Sequence, residues 1–142
     1  MVHILLAEDD KNFGIVLRGE LEEGGCVVTL VNDGVEAVLS FLSRAYDFAL
    51  LDIRMPRLNG IDALRIIKKI NPEVPAITFS GNSGRQERQQ SMEVGSIKCL
   101  TKPFNIALLK EEIKTWLTAR KTPSPSGEAV GSNGAKTSQI PP

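Results

Sequence analysis

Histidine and cysteine are nearly missing from this chain: there is one of the former, His3, and two of the latter, Cys26 and Cys99. The cysteines lie inside apolar stretches, without metal-ligand spacing and far below the density of a secreted disulfide framework. Both are read as buried thiols. His3 opens an apolar run, at the far end from the acidic residues described below, which argues against a donor or ligand role. Net charge is missing too. With 17 Lys and Arg against 17 Asp and Glu, no overall field draws nucleic acid or an anionic membrane. No apolar run approaches the roughly 20 residues of a membrane span, and the chain opens on a strand-like segment instead of a charged leader. A cytoplasmic protein is expected, and at 142 residues one domain with a short appendage.

What the sequence does hold is a rhythm. Short apolar runs rich in Val, Ile and Leu recur at residues 3–7, 26–31, 48–51, 76–79 and 97–100, the pattern of buried strands. Between them apolar residues recur at helical spacing. The first group is Phe13, Val16, Leu17 and Leu21, the second Val35, Val38 and Leu39, the third Ile61, Leu64 and Ile67. The last, Ile106, Leu109, Ile113, Trp116 and Leu117, is read as core packing. Residues 84–94 form the weakest helix, since Arg85, Gln86, Glu87, Arg88, Gln89 and Gln90 offer almost nothing to bury, and it is expected to be the most mobile. Strand and helix alternate five times over, which predicts a doubly wound α/β domain with a parallel sheet and helices on both faces. The domain is placed at residues 1–120. From residue 121 to 142, Pro, Gly and small polar residues replace large apolar ones; such a segment cannot offset the entropy of its own ordering, so a disordered tail is expected.

Charged and hydroxylic side chains stand where the strands end. Glu8, Asp9 and Asp10 close the first run and Asp52 closes the third. In an open α/β sheet, ligands bind beyond the carboxyl ends of the strands, where strand order reverses. With the order 2-1-3-4-5, a common one for such sheets, strands one and three are neighbours and the carboxylates converge. Two carboxylates about 4 Å apart repel by roughly 4 kcal/mol at an effective dielectric of about 20, a large cost against a total stability of roughly 5 to 15 kcal/mol. A cation removes that cost, and an all-oxygen acidic site suits Mg²⁺, which takes one or two carboxylates and keeps several waters. Capping of a helix N-terminus is the competing reading; it fits Asp10 and leaves Asp52 unexplained.

Ser80 closes the fourth run and Lys102 the fifth, so a hydroxyl and an ammonium reach the same edge. Phosphoryl transfer asks a protein for little more than an in-line nucleophile, a metal and positive donors around the equatorial oxygens. Asp52 as nucleophile, Mg²⁺, Lys102 and Ser80 make up that set.

Over roughly residues 2–120 the chain resembles the CheY-like receiver domains of bacterial two-component response regulators. Four strand-end motifs carry the likeness: Ala7-Glu8-Asp9-Asp10, Leu51-Asp52-Ile53-Arg54-Met55-Pro56 running on to Asn59-Gly60, Phe79-Ser80-Gly81, and Thr101-Lys102-Pro103-Phe104. The resemblance implies Asp52 as phosphoacceptor, and Glu8, Asp9, Asp52 and the backbone carbonyl of Arg54 as Mg²⁺ ligands. It also implies Ser80 as switch hydroxyl and Lys102 as the cation that contacts phosphate. A cis peptide between Lys102 and Pro103 goes with it, accessible because an X-Pro bond favours trans by only about 0.5 to 1 kcal/mol. The implied donor is a sensor histidine kinase or a histidine phosphotransfer protein. A stand-alone signalling receiver, not an enzyme of metabolism, is expected. It would act on another protein, without direct contact to nucleic acid or membrane, by a population shift around Ser80 and the fourth helix. Gly60 is read as holding a backbone geometry that a side chain would obstruct.

Two positions depart from the family pattern. Cys99 stands three places before the lysine, where an aromatic residue is usual, and keeps open a docking receiver that does not turn over phosphate. Gly81 replaces a usual Ala after the switch hydroxyl and is expected to loosen the loop. Arg54 and Asn82 occupy positions at which the family tunes the lifetime of the phosphoryl group. A flavodoxin-like cofactor-binding module on the same fold is disfavoured, because Glu8, Asp9 and Asp10 would repel a phosphate, and no Gly-rich loop ending in Gly-Lys-Ser or Gly-Lys-Thr is present. A hydrolase of the haloacid dehalogenase type wants a second Asp two residues after the nucleophile, where Arg54 stands.

Overall fold

In the computed structural model residues 1–81 and 84–121 are described, with side chains up to residue 119. Strands form where aliphatic residues run together: β1 (His3–Ala7), β2 (Val27–Val31), β3 (Phe48–Asp52), β4 (Ala76–Ser80) and β5 (Lys98–Thr101). Helices α1 (Lys11–Glu23), α2 (Gly34–Ser43), α3 (Gly60–Ile70), α4 (Arg85–Glu93) and α5 (Ile106–Lys121) alternate with them. Every strand pairing is parallel, and the order is β2-β1-β3-β4-β5. The doubly wound α/β sheet and its expected order are both found.

The chain divides into two compact units, Met1–Glu111 and Glu112–Pro142. The sheet and all the site residues lie in the first, and the second holds the last turns of α5. Lys121, counted above in the tail, ends that helix; the rest of the expected tail, and Asn82, lie outside the described residues.

β3 and β4 are buried at every position, because each has a strand on both sides and cover on both faces. Leu5, Ala7, Ala49 and Leu51 of the sheet share one core cluster with Ala37 and Phe41 of α2 and Ala63, Leu64 and Ile67 of α3. At Gly34 an added Cβ would lie 1.9 Å from the Leu58 carbonyl oxygen, a backbone contact that only glycine permits.

The expected helix faces need three corrections. On α1 the buried residues are Gly14, Leu17 and Leu21, and Val16 is exposed. On α2 they are Gly34, Ala37 and Phe41, and Leu39 is exposed. On α5 Leu109, Ile113 and Leu117 are buried four residues apart, whereas Trp116 is 39% exposed and donates its indole N–H to Glu112 Oε2 at 3.1 Å. Adjacent residues differ by about 100° around a helix, so of two neighbouring apolar side chains one faces outward. The weak fourth helix is as anticipated: α4 buries only Ser91. Ser91 Oγ and Thr78 Oγ1 of β4 share a hydrogen bond. Ser96 Oγ extends this buried network, accepting from Thr78 N at 3.2 Å and donating to the Lys98 carbonyl at 2.5 Å. Among the described residues no helix is long and apolar enough to cross a membrane.

Candidate functional site

Parallel strands all finish at one edge, and Ala7 of β1 lies beside Leu51 of β3. One residue further, Glu8 and Asp52 are brought together. Oxygens of Glu8, Asp9 and Asp52 lie within 4.8 Å of one another. Asp10 stands apart from this group, as its carboxylate caps α1 by accepting from Phe13 N at 3.2 Å. On the far side Asp52 pairs with Phe79 of β4, and Ser80 pairs with Thr101 of β5. Lys102 follows directly, its backbone N–H donating to the Ser80 carbonyl at 2.8 Å.

The Lys102 side chain bridges the acids. Its Nζ lies 2.7 Å from Glu8 Oε1 and 3.1 Å from Asp52 Oδ2. The contact with Glu8 is ionic without an aligned hydrogen bond, so Oε1 is buried with no hydrogen-bond donor; Oε2 accepts from Asp10 N at 3.0 Å. The Glu8 side chain has no exposed surface, and only 6% of the Asp52 side chain is open to solvent. Burial pushes the Glu8 carboxyl up to about 8, with the neighbouring Asp52 carboxyl adding to the rise and Lys102 opposing it. Burial also works against the Lys102 ammonium, but its contacts with Glu8 and Asp52 outweigh that and hold it above its ordinary value. Both shifts follow from two carboxylates competing for one ammonium in a poorly solvated cleft.

With Asp9 included and all three carboxyls ionised, the cluster and one ammonium carry two negative charges in excess, the charge of one divalent cation. The donors are all oxygen, which suits Mg²⁺, and a buried carboxylate oxygen lacking a donor is the kind of atom such an ion satisfies. The acidic cluster thus fits a metal site.

The loop after β3 is held tightly. Arg54 N donates to Asp52 Oδ1 at 3.0 Å, and the Arg54 guanidinium reaches Glu87 of α4 at 3.1 Å. Arg57 adopts the left-handed region, with φ of 67°, and donates from Nε and Nη2 to Asp33 Oδ2 at 3.0 and 2.7 Å. At Gly60 an added Cβ would lie 2.1 Å from the Asp52 carbonyl oxygen, so the expected obstruction is real. The peptide bond Lys102–Pro103 is cis. Cys99 is buried beside Ile53 and Ile61. His3 is at the opposite end of β1, its ring within 2.7 Å of Arg44 Nη2. The Arg54–Glu87 and Arg57–Asp33 pairs were not foreseen, because no spacing rule connects their partners.

The fold and site define a doubly wound α/β domain with an acidic, lysine-bridged cleft at the reversal of strand order. The profile of the family described as response regulator receiver domain matches residues 4–114, and the chain belongs to that family. It is 38% identical over 126 residues to a transcriptional regulatory protein of Haemophilus influenzae described as a CpxR homolog, covering 89% of this chain and 54% of the relative. The receiver domain of Francisella response regulator 1452 matches with a TM-score of 0.79 at 31% identity, covering 85% of this chain and 100% of that one. A receiver domain of a sensor histidine kinase from Pseudomonas aeruginosa PAO1, solved with a magnesium ion coordinated in the active site cleft, matches with a TM-score of 0.76 at 34% identity, over 82% of this chain and 98% of that one. The chain spans about half the length of the curated relatives it matches. Receiver domains are signalling domains that interact with histidine kinases or phosphotransfer proteins.

Proposed function

We propose that the chain accepts a phosphoryl group on Asp52 from a phosphohistidine of a sensor kinase or phosphotransfer protein. The phosphorylated form then signals to another protein through the segment after Ser80 and α4. The observation that carries this reading is the gathering of Glu8, Asp9 and Asp52 oxygens within 4.8 Å, with an ammonium 3.1 Å from Asp52.

Burial disfavours Glu8 as the acceptor, and donors on both of its carboxylate oxygens favour Asp52. Glu8 has no exposed surface, while part of the Asp52 side chain is reachable. Arg54 N on Oδ1 and Lys102 Nζ on Oδ2 hold the Asp52 carboxylate at both oxygens. In the transfer, one of those oxygens forms the bond to phosphorus as the phosphorus–nitrogen bond breaks, and the donor imidazole leaves with the bonding pair. Lys102 then follows the negative charge onto the phosphoryl oxygens, and the Ser80 hydroxyl at the end of β4 is a further donor to them. Glu8, Asp9, Asp52 and the Arg54 carbonyl would hold Mg²⁺, which when bound neutralises charge at the reacting oxygens.

The test is intact-mass measurement after incubation with phosphoramidate and Mg²⁺. One added phosphoryl group is expected for the wild type, and none for Asp52→Ala or for the wild type in excess EDTA. A folded wild-type protein whose mass does not change overturns the proposal.

A further inference from the structure

The chain contains five phenylalanines, and two of them, Phe13 and Phe79, lie against the bridging lysine. Lys102 Nζ lies 4.6 Å from the ring centroid of Phe13 and 5.5 Å from that of Phe79. Phe104 completes the group, meeting Phe13 edge-on at 5.6 Å and 87° and Phe79 at 5.6 Å. Phe13 and Phe79 meet at 6.1 Å. These rings come from α1, from β4 and from the segment after β5, so their meeting is a product of the tertiary fold. The periodicity of α1 assigns Phe13 to the core stripe, yet its ring is turned to the lysine.

A lysine has a flexible four-carbon stem and a compact, strongly hydrated charge, so two carboxylates alone leave it several ways to sit. A ring face attracts the cation through its quadrupole. Unlike a third carboxylate, it adds no negative charge to a site that already has an excess. The ring is also well anchored, since Phe13 N–H is the group that Asp10 caps at 3.2 Å. Asp10 N in turn donates to Glu8 Oε2 at 3.0 Å, so the cap of α1 ties the backbone that carries the ring to the buried acid.

We propose that Phe13, backed by Phe79 and Phe104, is a positioning residue for Lys102. Its ring face keeps the ammonium in the cleft, in place before charge arrives on Asp52. This rests on the reading of Asp52 as phosphoacceptor, and the test separates the two claims. Phe13→Leu keeps apolar bulk and removes the ring face; Phe13→Tyr keeps the face; Phe13→Met replaces the leucine variant if that one does not fold. The first readout is the NMR signal of the Lys102 ε-methylene protons without phosphodonor or metal. Ring current should shift it in the wild type and in Phe13→Tyr, and the shift should shrink markedly in Phe13→Leu, which leaves only the more distant Phe79 ring at 5.5 Å. The second readout is the phosphorylation rate with phosphoramidate at saturating Mg²⁺. It should fall about three- to ten-fold in Phe13→Leu, return in Phe13→Tyr, and leave the Mg²⁺ affinity unaltered. An unshifted wild-type Lys102 signal overturns the placement. A Phe13→Leu rate equal to wild type, or equal slowing in the Leu and Tyr variants, overturns the positioning role. Should the wild type accept no phosphoryl group, the function proposal and the catalytic half of this one fall together, while the NMR signal still decides where the ring holds the lysine.

Discussion

The ammonium of Lys102 stands 2.7 Å from the carboxylate of Glu8, a side chain with no exposed surface. A buried acid that must share its cation with Asp52 resists ionisation, and Glu8 is pushed up to about 8 from the ordinary 4.5. Between those two values the native state binds more protons than the unfolded chain, so stability from this group is lost as pH rises through the window. In metal-free buffer the protein should melt at a lower temperature at about pH 9 than at about pH 6, and Glu8→Gln should flatten that slope. Added Mg²⁺ should stabilise the wild type most at the alkaline end, where no proton competes for the carboxylate. Parallel slopes for wild type and Glu8→Gln would contradict the assignment.

Asp33 responds in the opposite sense. The Glu36 N–H at 2.8 Å and the Arg57 guanidinium hold its carboxyl below the ordinary 3.8. Its contribution is present above that value and is lost as pH falls through the lower, folded one. Asp33→Ala removes the cap of α2 and should cost about 1 kcal/mol in urea unfolding at neutral pH. The difference from wild type should shrink in strong acid; a difference that does not change with pH would show that the ion pair and cap carry none of it.

Two glycines should answer to the same substitution in opposite ways. Gly60→Ala drives a Cβ to within 2.1 Å of the Asp52 carbonyl and 3.0 Å of Ile53 Cα, both backbone. It should cost about 1 to 3 kcal/mol and move the proposed acceptor. Gly81→Ala meets nothing within 4 Å and should leave stability unchanged or raised by about 0.5 kcal/mol, through the unfolded chain. Thermal unfolding of the two variants side by side checks this, and equal destabilisation would refute it.

The attachment of α4 is polar. Ser91 is its one buried residue, bonded to the buried Thr78 hydroxyl. Ser91→Ala and Thr78→Val should each cost about 1 kcal/mol. Because they remove the same bond, the double variant should lose less than the sum. Strict additivity in chemical denaturation would mean that the hydroxyls do not act as a pair.

Strand positions were readable because buried parallel strands appear as unbroken apolar runs, and β1 begins and ends where its run does, His3–Ala7. The poor stripe of α4 was equally plain. Val16, Leu39 and Trp116 were misjudged because apolar spacing marks a stripe without saying which edge of it meets the sheet. At the site, the strand-end acids, hydroxyl and lysine were visible in order. The capping reading suited Asp10, and Asp10 does cap α1; what escaped was the difference between its neighbours, since Asp9 is exposed and Glu8 wholly buried although they are consecutive.

The order of amino acids by itself determined the alternation of strands and helices and the chemistry placed at each strand end, since both depend on short-range pattern. Only the tertiary structure decided that Lys102 lies between Glu8 and Asp52, with Phe13 against its ammonium. Those distances join residues far apart along the chain, and they follow from how helices pack on a twisted sheet, which no local spacing encodes.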